Sequence, residues 1–162
     1  MSKTILVGST PITIPLTGDP AVWSEGIVAF MEAAAANINA FAGPYDVPPQ
    51  VINIDAYNPT TSPTNIDQLT FPIAFVRSVT IYYSLYRSTS SANASEQGTL
   101  NLLYDPNFPV TNKWSVDRDF QSDGKISFIV TDTGQVQFET TTLAGTGHTG
   151  NLSIYAKALL QS

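Results

Sequence analysis

The chain has 162 residues, of which 43% are hydrophobic, 10% aromatic and only 12% charged, with 11 Pro, 10 Gly, one His and no Cys. That length is typical of one domain with a sizeable core, and so much apolar residue rules out a disordered chain. The net charge of −6, with Lys3, Arg77, Arg87, Lys113, Arg118, Lys125 and Lys157 scattered singly, argues against a nucleic-acid partner, which needs clustered cations.

The charged fraction is about half of the usual ~25%, and Ser and Thr fill the gap, so a neutral polar surface is expected. The absence of Cys excludes a disulfide framework, a thiolate nucleophile and a zinc site built on sulfur. From Met1 to Pro20 every short apolar run is broken by Thr or Pro, so no secretory signal is expected, and no apolar stretch is long enough to span a membrane.

In chain order, Lys3 to Leu16 alternates β-branched pieces with Gly and Pro, as in Ile12-Thr13-Ile14. This predicts an extended arm or an edge strand, where Pro is tolerated. Asp19-Pro20 then supplies a helix N-cap and first-turn proline, Glu25 favours the positive helix end, and Gly43-Pro44 closes the segment. Between them Trp23, Ile27, Phe30, Ala34, Ile38 and Phe41 recur every three or four residues, along one helical stripe. The small residues Ala33 to Ala36 permit close approach of a neighbour. Core packing and an axis between subunits both satisfy that stripe.

From Pro48 onward the period changes to two. Val51, Asn53, Asp55 and Tyr57 oppose Ile52, Ile54 and Ala56 in a first strand, followed by a loop from Asn58 to Asn65. Val79, Ile81, Tyr83 and Leu85 form one face of a long strand, with Thr80, Tyr82, Ser84 and Tyr86 on the other. A loop from Ser88 to Ser95 leads into a strand over Thr99 to Asp105, and Lys113 to Phe120 reads as a weaker one. Ile126, Phe128 and Val130, the turn Asp132-Thr133-Gly134, and Val136, Phe138 and Thr140 make a hairpin. The last strand alternates from Asn151 to Leu160. The expected fold is mainly β: an antiparallel β-sandwich or jelly-roll-like domain at residues 48–162, preceded by an arm and one Ala-rich α-helix at residues 1–47 that serve assembly or docking.

Motifs that would carry catalysis are weak in context. Gly145-Thr146-Gly147-His148-Thr149-Gly150 spells a dinucleotide fingerprint, but a strand and not a helix follows it. Asp119 to Gly124 matches the first half of a calcium loop, yet Val130 occupies the place of the bidentate Glu. Asp123-Gly124 therefore reads as a turn, with a calcium contact through Asp117, Asp119 and Asp123 left open. His148 reads as a solvated loop residue, and no serine lies in a nucleophile-elbow context. No enzyme activity, cofactor or metal is expected. The exposed aromatic side chains Tyr82 and Tyr86 are instead candidates for carbohydrate or protein contact, or cover for a second sheet.

The order Pro11-Ile12-Thr13-Ile14-Pro15-Leu16, Gly18-Asp19-Pro20-Ala21-Val22-Trp23, the Ala and Asn helix, Ser78-Val79-Thr80-Ile81-Tyr82-Tyr83 and the closing Gly150-Asn151-Leu152-Ser153-Ile154-Tyr155 resembles small virion structural proteins of tailed bacteriophages. These are of the fibre, collar, baseplate-appendage or head-decoration type. The resemblance implies a non-enzymatic, self-assembling virion component, homotrimeric, in contact with other virion proteins and with neither membrane nor nucleic acid. On that view Trp23, Ile27, Phe30, Ala34, Ile38 and Phe41 serve assembly. The alternative expectation is a receptor- or carbohydrate-binding module, with Tyr82 and Tyr86 touching a host-surface glycan.

Overall fold

The computed structural model describes residues 2–7, 10–15, 29–34, 43–108 and 112–161. The chain divides into two compact units, Met1–Pro44 and Tyr45–Ser162. In the first, β1 (Ser2–Val7) and β2 (Thr10–Pro15) pair antiparallel, with Val7 opposite Thr10 and Ser2 opposite Pro15. Of the two expectations, extended arm or edge strand, the segment thus takes the second, as two paired strands. Pro11 and Pro15 lie an even number of residues apart, so both missing donors fall on one edge of β2 and the other edge is left to pair with β1. Residues 29–34 are helical. Of the predicted stripe, Phe30 is 73% exposed within this chain and Ala34 is half-buried; Trp23, Ile27, Ile38 and Phe41 lie outside the described residues.

The second unit is an antiparallel β-sandwich. Its strands are β3 (Val47–Asn53), β4 (Thr64–Thr70), β5 (Val76–Ser88), β6 (Asn93–Tyr104), β7 (Trp114–Gln121), β8 (Ile126–Val130), β9 (Gln135–Thr140) and β10 (Thr149–Leu160). One sheet has the order β3-β10-β5-β6-β7 and the other β4-β9-β8. The placement of β10 between β3 and β5, with β9 beside β4, is the winding of a jelly roll; the β5-β6-β7 meander stays in one sheet and leaves that winding incomplete.

Period-two alternation explains the core. Val79, Ile81, Tyr83 and Leu85 of β5, Leu100 and Leu102 of β6, and Leu152, Ile154 and Ala156 of β10 are buried. They share one core with Ile66, Leu69, Ile126, Val130, Val136 and Phe138 of the smaller sheet, each large side chain contributing about 1.5–3 kcal/mol on burial. Tyr83 meets Phe128 across the core with ring centroids 5.0 Å apart.

Two strands depart from the sequence pattern. The first predicted strand ends early because the Asn53 side chain accepts a hydrogen bond from the Asp55 backbone N–H at 2.9 Å, turning the chain before the alternation is complete. Its Pro48 and Pro49 sit on the outermost strand of the large sheet, where a missing donor is tolerated. Strand β4 begins within the predicted Asn58 to Asn65 loop. Its buried Ile66 and Leu69 are three residues apart, because Gln68 adopts a left-handed backbone (φ 69°) and breaks the alternation. The Gln135 amide fills that irregularity, donating to the carbonyls of Ile66 at 2.9 Å and Leu69 at 3.3 Å.

Two charged residues lie inside. Glu96 accepts hydrogen bonds from the Tyr83 hydroxyl at 2.5 Å and the Gly124 N–H at 2.8 Å, and forms an ion pair with Arg118. Arg118 in turn donates to the Ile126 carbonyl at 2.9 Å, joining β7 to β8. Arg87 is fully buried, and its partners are acceptors without formal charge. It donates to the carbonyls of Gly124 (3.2 Å), Lys125 (3.0 Å), Thr141 (3.0 Å) and Tyr57 (3.4 Å), to Asn58 Oδ1 (2.9 Å) and to His148 Nε2 (3.2 Å). Burial pushes its ionisation below the ordinary guanidinium value.

Replacing Arg87 with Met orphans these acceptors together. It is expected to cost about 3 kcal/mol or more in urea unfolding. Arg87→Lys, with three donors in place of five, is expected to recover only part of that loss.

Candidate functional site: the outer face of the large sheet

The register of the five-stranded sheet places its outward side chains in rows. One row runs Tyr155, Tyr82, Thr99, Asp119 across β10, β5, β6 and β7, and the next runs Val51, Ser153, Ser84, Gln97, Gln121. Further rows are Lys157, Thr80, Asn101, Asp117 and Asn53, Asn151, Tyr86, Ser95. Around the central aromatic pair these rows are mostly hydroxyls and amides, which tolerate water on this face while the opposite face fills the core.

The rings of Tyr82 and Tyr155 are nearly parallel, 6° apart in plane, with centroids 4.6 Å apart. That separation equals the spacing of neighbouring strands, so the ring normals run across the sheet. Each ring covers one face of the other and leaves its second face free, Tyr155 toward β3 and Tyr82 toward β6. The pair forms a ridge between two grooves. The β3-side groove, about 440 Å³, is bounded by Pro49, Val51 and Tyr155 and is mainly apolar. The β6-side groove, about 340 Å³, runs between Tyr82 and Asp119 over Thr99, flanked by Gln97 and Gln121.

Tyr82 is 41% and Tyr155 37% exposed. Neither phenol hydroxyl, nor the carboxylate of Asp119, hydrogen-bonds a described side chain or turn. Gln97 and Gln121 form an amide pair at 3.3 Å. The face therefore offers free ring surface beside hydrogen-bonding groups, an arrangement suited to an amphipathic ligand.

Of the predicted contacts, Tyr82 stands in the ridge. Tyr86 is exposed on the same face four residues along, in a row without a second aromatic residue. Tyr155, the stacking partner, was not singled out by sequence. Its position in an alternating terminal strand placed it outward, but only the pairing of β10 with β5 brings it beside Tyr82.

The loops gather at the Tyr86 end. Thr89 Oγ1 donates to the Ala144 carbonyl at 2.5 Å, and the Ser90 N–H to that of Thr146 at 2.9 Å, so the Ser88 to Ser95 and Ala144 to Gly150 segments hold one another. Half of the first segment is strand, since β5 reaches Ser88 and β6 starts at Asn93. His148 is not the solvated residue expected. Arg87 Nε can only donate, so His148 Nε2 accepts and its Nδ1 proton goes to the Asp55 carbonyl at 2.9 Å. Asp117 and Asp119 lie on β7, whereas both oxygens of Asp123 face Lys125. Among the described residues no three His, Asp or Glu groups converge as metal ligands, and no helix is long and apolar enough to cross a membrane.

Asp55 secures the start of β10. Its carboxylate accepts hydrogen bonds from the Asn53 amide at 2.9 Å and the Gly150 N–H at 2.6 Å. Chiefly the first of these, then the second, holds its ionisation below the ordinary 3.8. A lowered folded value means that this contribution to stability is present above pH 3.8 and is lost as pH falls through the folded value. Asp55→Asn is expected to flatten the acid limb of the thermal midpoint measured from about pH 5 to about pH 2.

No protein-family model and no curated protein matches the chain. Among solved structures it is similar to the tailspike protein of Acinetobacter phage vB_ApiP_P1, with 6% identity and a TM-score of 0.37, over 70% of this chain and 22% of that one.

Proposed function

We propose that this chain is a non-enzymatic structural component of a tailed-bacteriophage virion, and that its sandwich is a carbohydrate-binding module directed at a host-surface glycan. The observation that carries the binding role is the Tyr82–Tyr155 ridge. Two tyrosines held rigid by their strands offer free ring faces to the apolar C–H face of a sugar, and the rows of hydroxyls and amides beside them meet its hydroxyls. The virion role rests on the sequence resemblance. The first unit supplies assembly in this reading, as a homotrimer contacting other virion proteins, with Phe30 among the residues that become covered.

Two measurements test these roles. On a glycan array, Tyr82→Ala and Tyr155→Ala are each expected to reduce binding at least about tenfold, the loss of ~1.4 kcal/mol of aromatic contact, while Tyr86→Ala has a smaller effect. An array without hits, or hits indifferent to both substitutions, overturns the binding role. Light scattering after size exclusion is expected to give a trimer for the whole chain and a monomer once residues 1–43 are removed. A monomeric whole chain overturns the assembly role.

A further inference from the structure

The charge of the ridge and grooves narrows the ligand, given the carbohydrate-binding role proposed above. The residues in register on this face include two carboxylates, Asp117 and Asp119, both on β7. The one cation in the four rows described above is Lys157, and its ammonium is held by Asp46 at 2.7 Å. Arg118, between Asp117 and Asp119 in sequence, points the other way and pairs with Glu96 inside the sandwich. An anionic sugar placed on the ridge would therefore meet carboxylates with no free cation in those rows to compensate them.

The β6-side groove has the reach for one sugar ring. Tyr82 and Asp119 are two strands apart in the same row, about 10 Å by the usual strand spacing. A pyranose stacked on the free face of Tyr82 would rest above Thr99, with a hydroxyl directed at Asp119. A carboxylate only accepts hydrogen bonds and a neutral sugar hydroxyl donates them, which makes a strong charge-assisted pair. The amides of Gln97 and Gln121 stand at the side of the same groove, able to donate and accept.

We infer that the β6-side groove, between Tyr82 and Asp119, binds neutral glycans and rejects acidic ones, with Asp119 as the residue that sets this selectivity. Like charges across a contact disfavour the wrong partner, and an uncharged ligand makes binding insensitive to salt.

Affinity electrophoresis and calorimetry on the full chain test this, with dextran, mannan and a β-1,3-glucan as neutral probes and polygalacturonate and hyaluronate as acidic ones. The expected result is binding to at least one neutral polymer, no binding to the acidic ones, and less than about a twofold change between low and high salt. Asp119→Asn is expected to weaken neutral binding about tenfold with the thermal midpoint unchanged, since the side chain lies at the surface. Tighter binding to an acidic polymer, or neutral binding that Asp119→Asn leaves intact, overturns the selectivity while the carbohydrate-binding role stands. Binding to none of the five polymers, or binding that Tyr82→Ala leaves intact, overturns the binding role and the selectivity with it.

Discussion

The buried guanidinium of Arg87 is the contact on which the loop end of the sandwich depends. Its hydrogen bonds reach Tyr57 and Asn58 before β4, Gly124 and Lys125 between β7 and β8, and Thr141 and His148 between β9 and β10. A buried charge is tolerated only when its donors are satisfied. Here carbonyl, amide and imidazole acceptors surround it, so each of these connections must be in place for the others to be favourable. The Glu96 network begins at the same turn: Gly124 gives its carbonyl to Arg87 and its N–H to Glu96. One glycine thus links both polar networks, and the glycine is needed, because a Cβ there would come within 2.5 Å of Leu85 and 2.8 Å of Glu96.

The long strands were legible because burial on one face leaves a period of two. Val79 to Leu85 and Leu152 to Ala156 show it plainly. The same rule was silent at β4, where left-handed Gln68 puts Ile66 and Leu69 on the core side at a spacing of three, and where a distant Gln135 completes the irregular backbone. It was misleading at Ser88 to Ser95, whose small polar residues resemble a loop although half of them are paired in strands. Arg87 continues the inward alternation of Val79, Ile81, Tyr83 and Leu85, but in the sequence it was one cation among several scattered singly, and its burial depends on loops that converge only after folding. The ridge was half legible: outward Tyr82 followed from local alternation, but its pairing with Tyr155 joins positions more than seventy residues apart.

The two sides of the large sheet divide the chemistry. The inner side uses its cations and carboxylate for cohesion, with Arg118 lying 4.2 Å from the ring centroid of Phe120 as well as pairing with Glu96. The outer side keeps aromatic rings and carboxylates free. That division gives the low charge content a structural meaning. Some charged groups of the sheet are committed within the sandwich, as Arg87, Glu96 and Arg118 are; on the exposed rows Lys157 is paired with Asp46, whereas Asp119 is left without a partner among the described residues.

The paired prolines of β3 have a consequence for crowding. An outer strand with an open row of donors and acceptors invites a neighbouring copy to add its own strand, and repeated addition leads to fibrous aggregates. Pro48 and Pro49 are successive, so their missing donors face opposite edges of β3, and one of them leaves a gap in the donor row at the free margin of the large sheet, where an incoming strand cannot complete its ladder. A protein packed at high local density, side by side with identical copies, keeps its sheets separate at that margin without needing charge repulsion to do so.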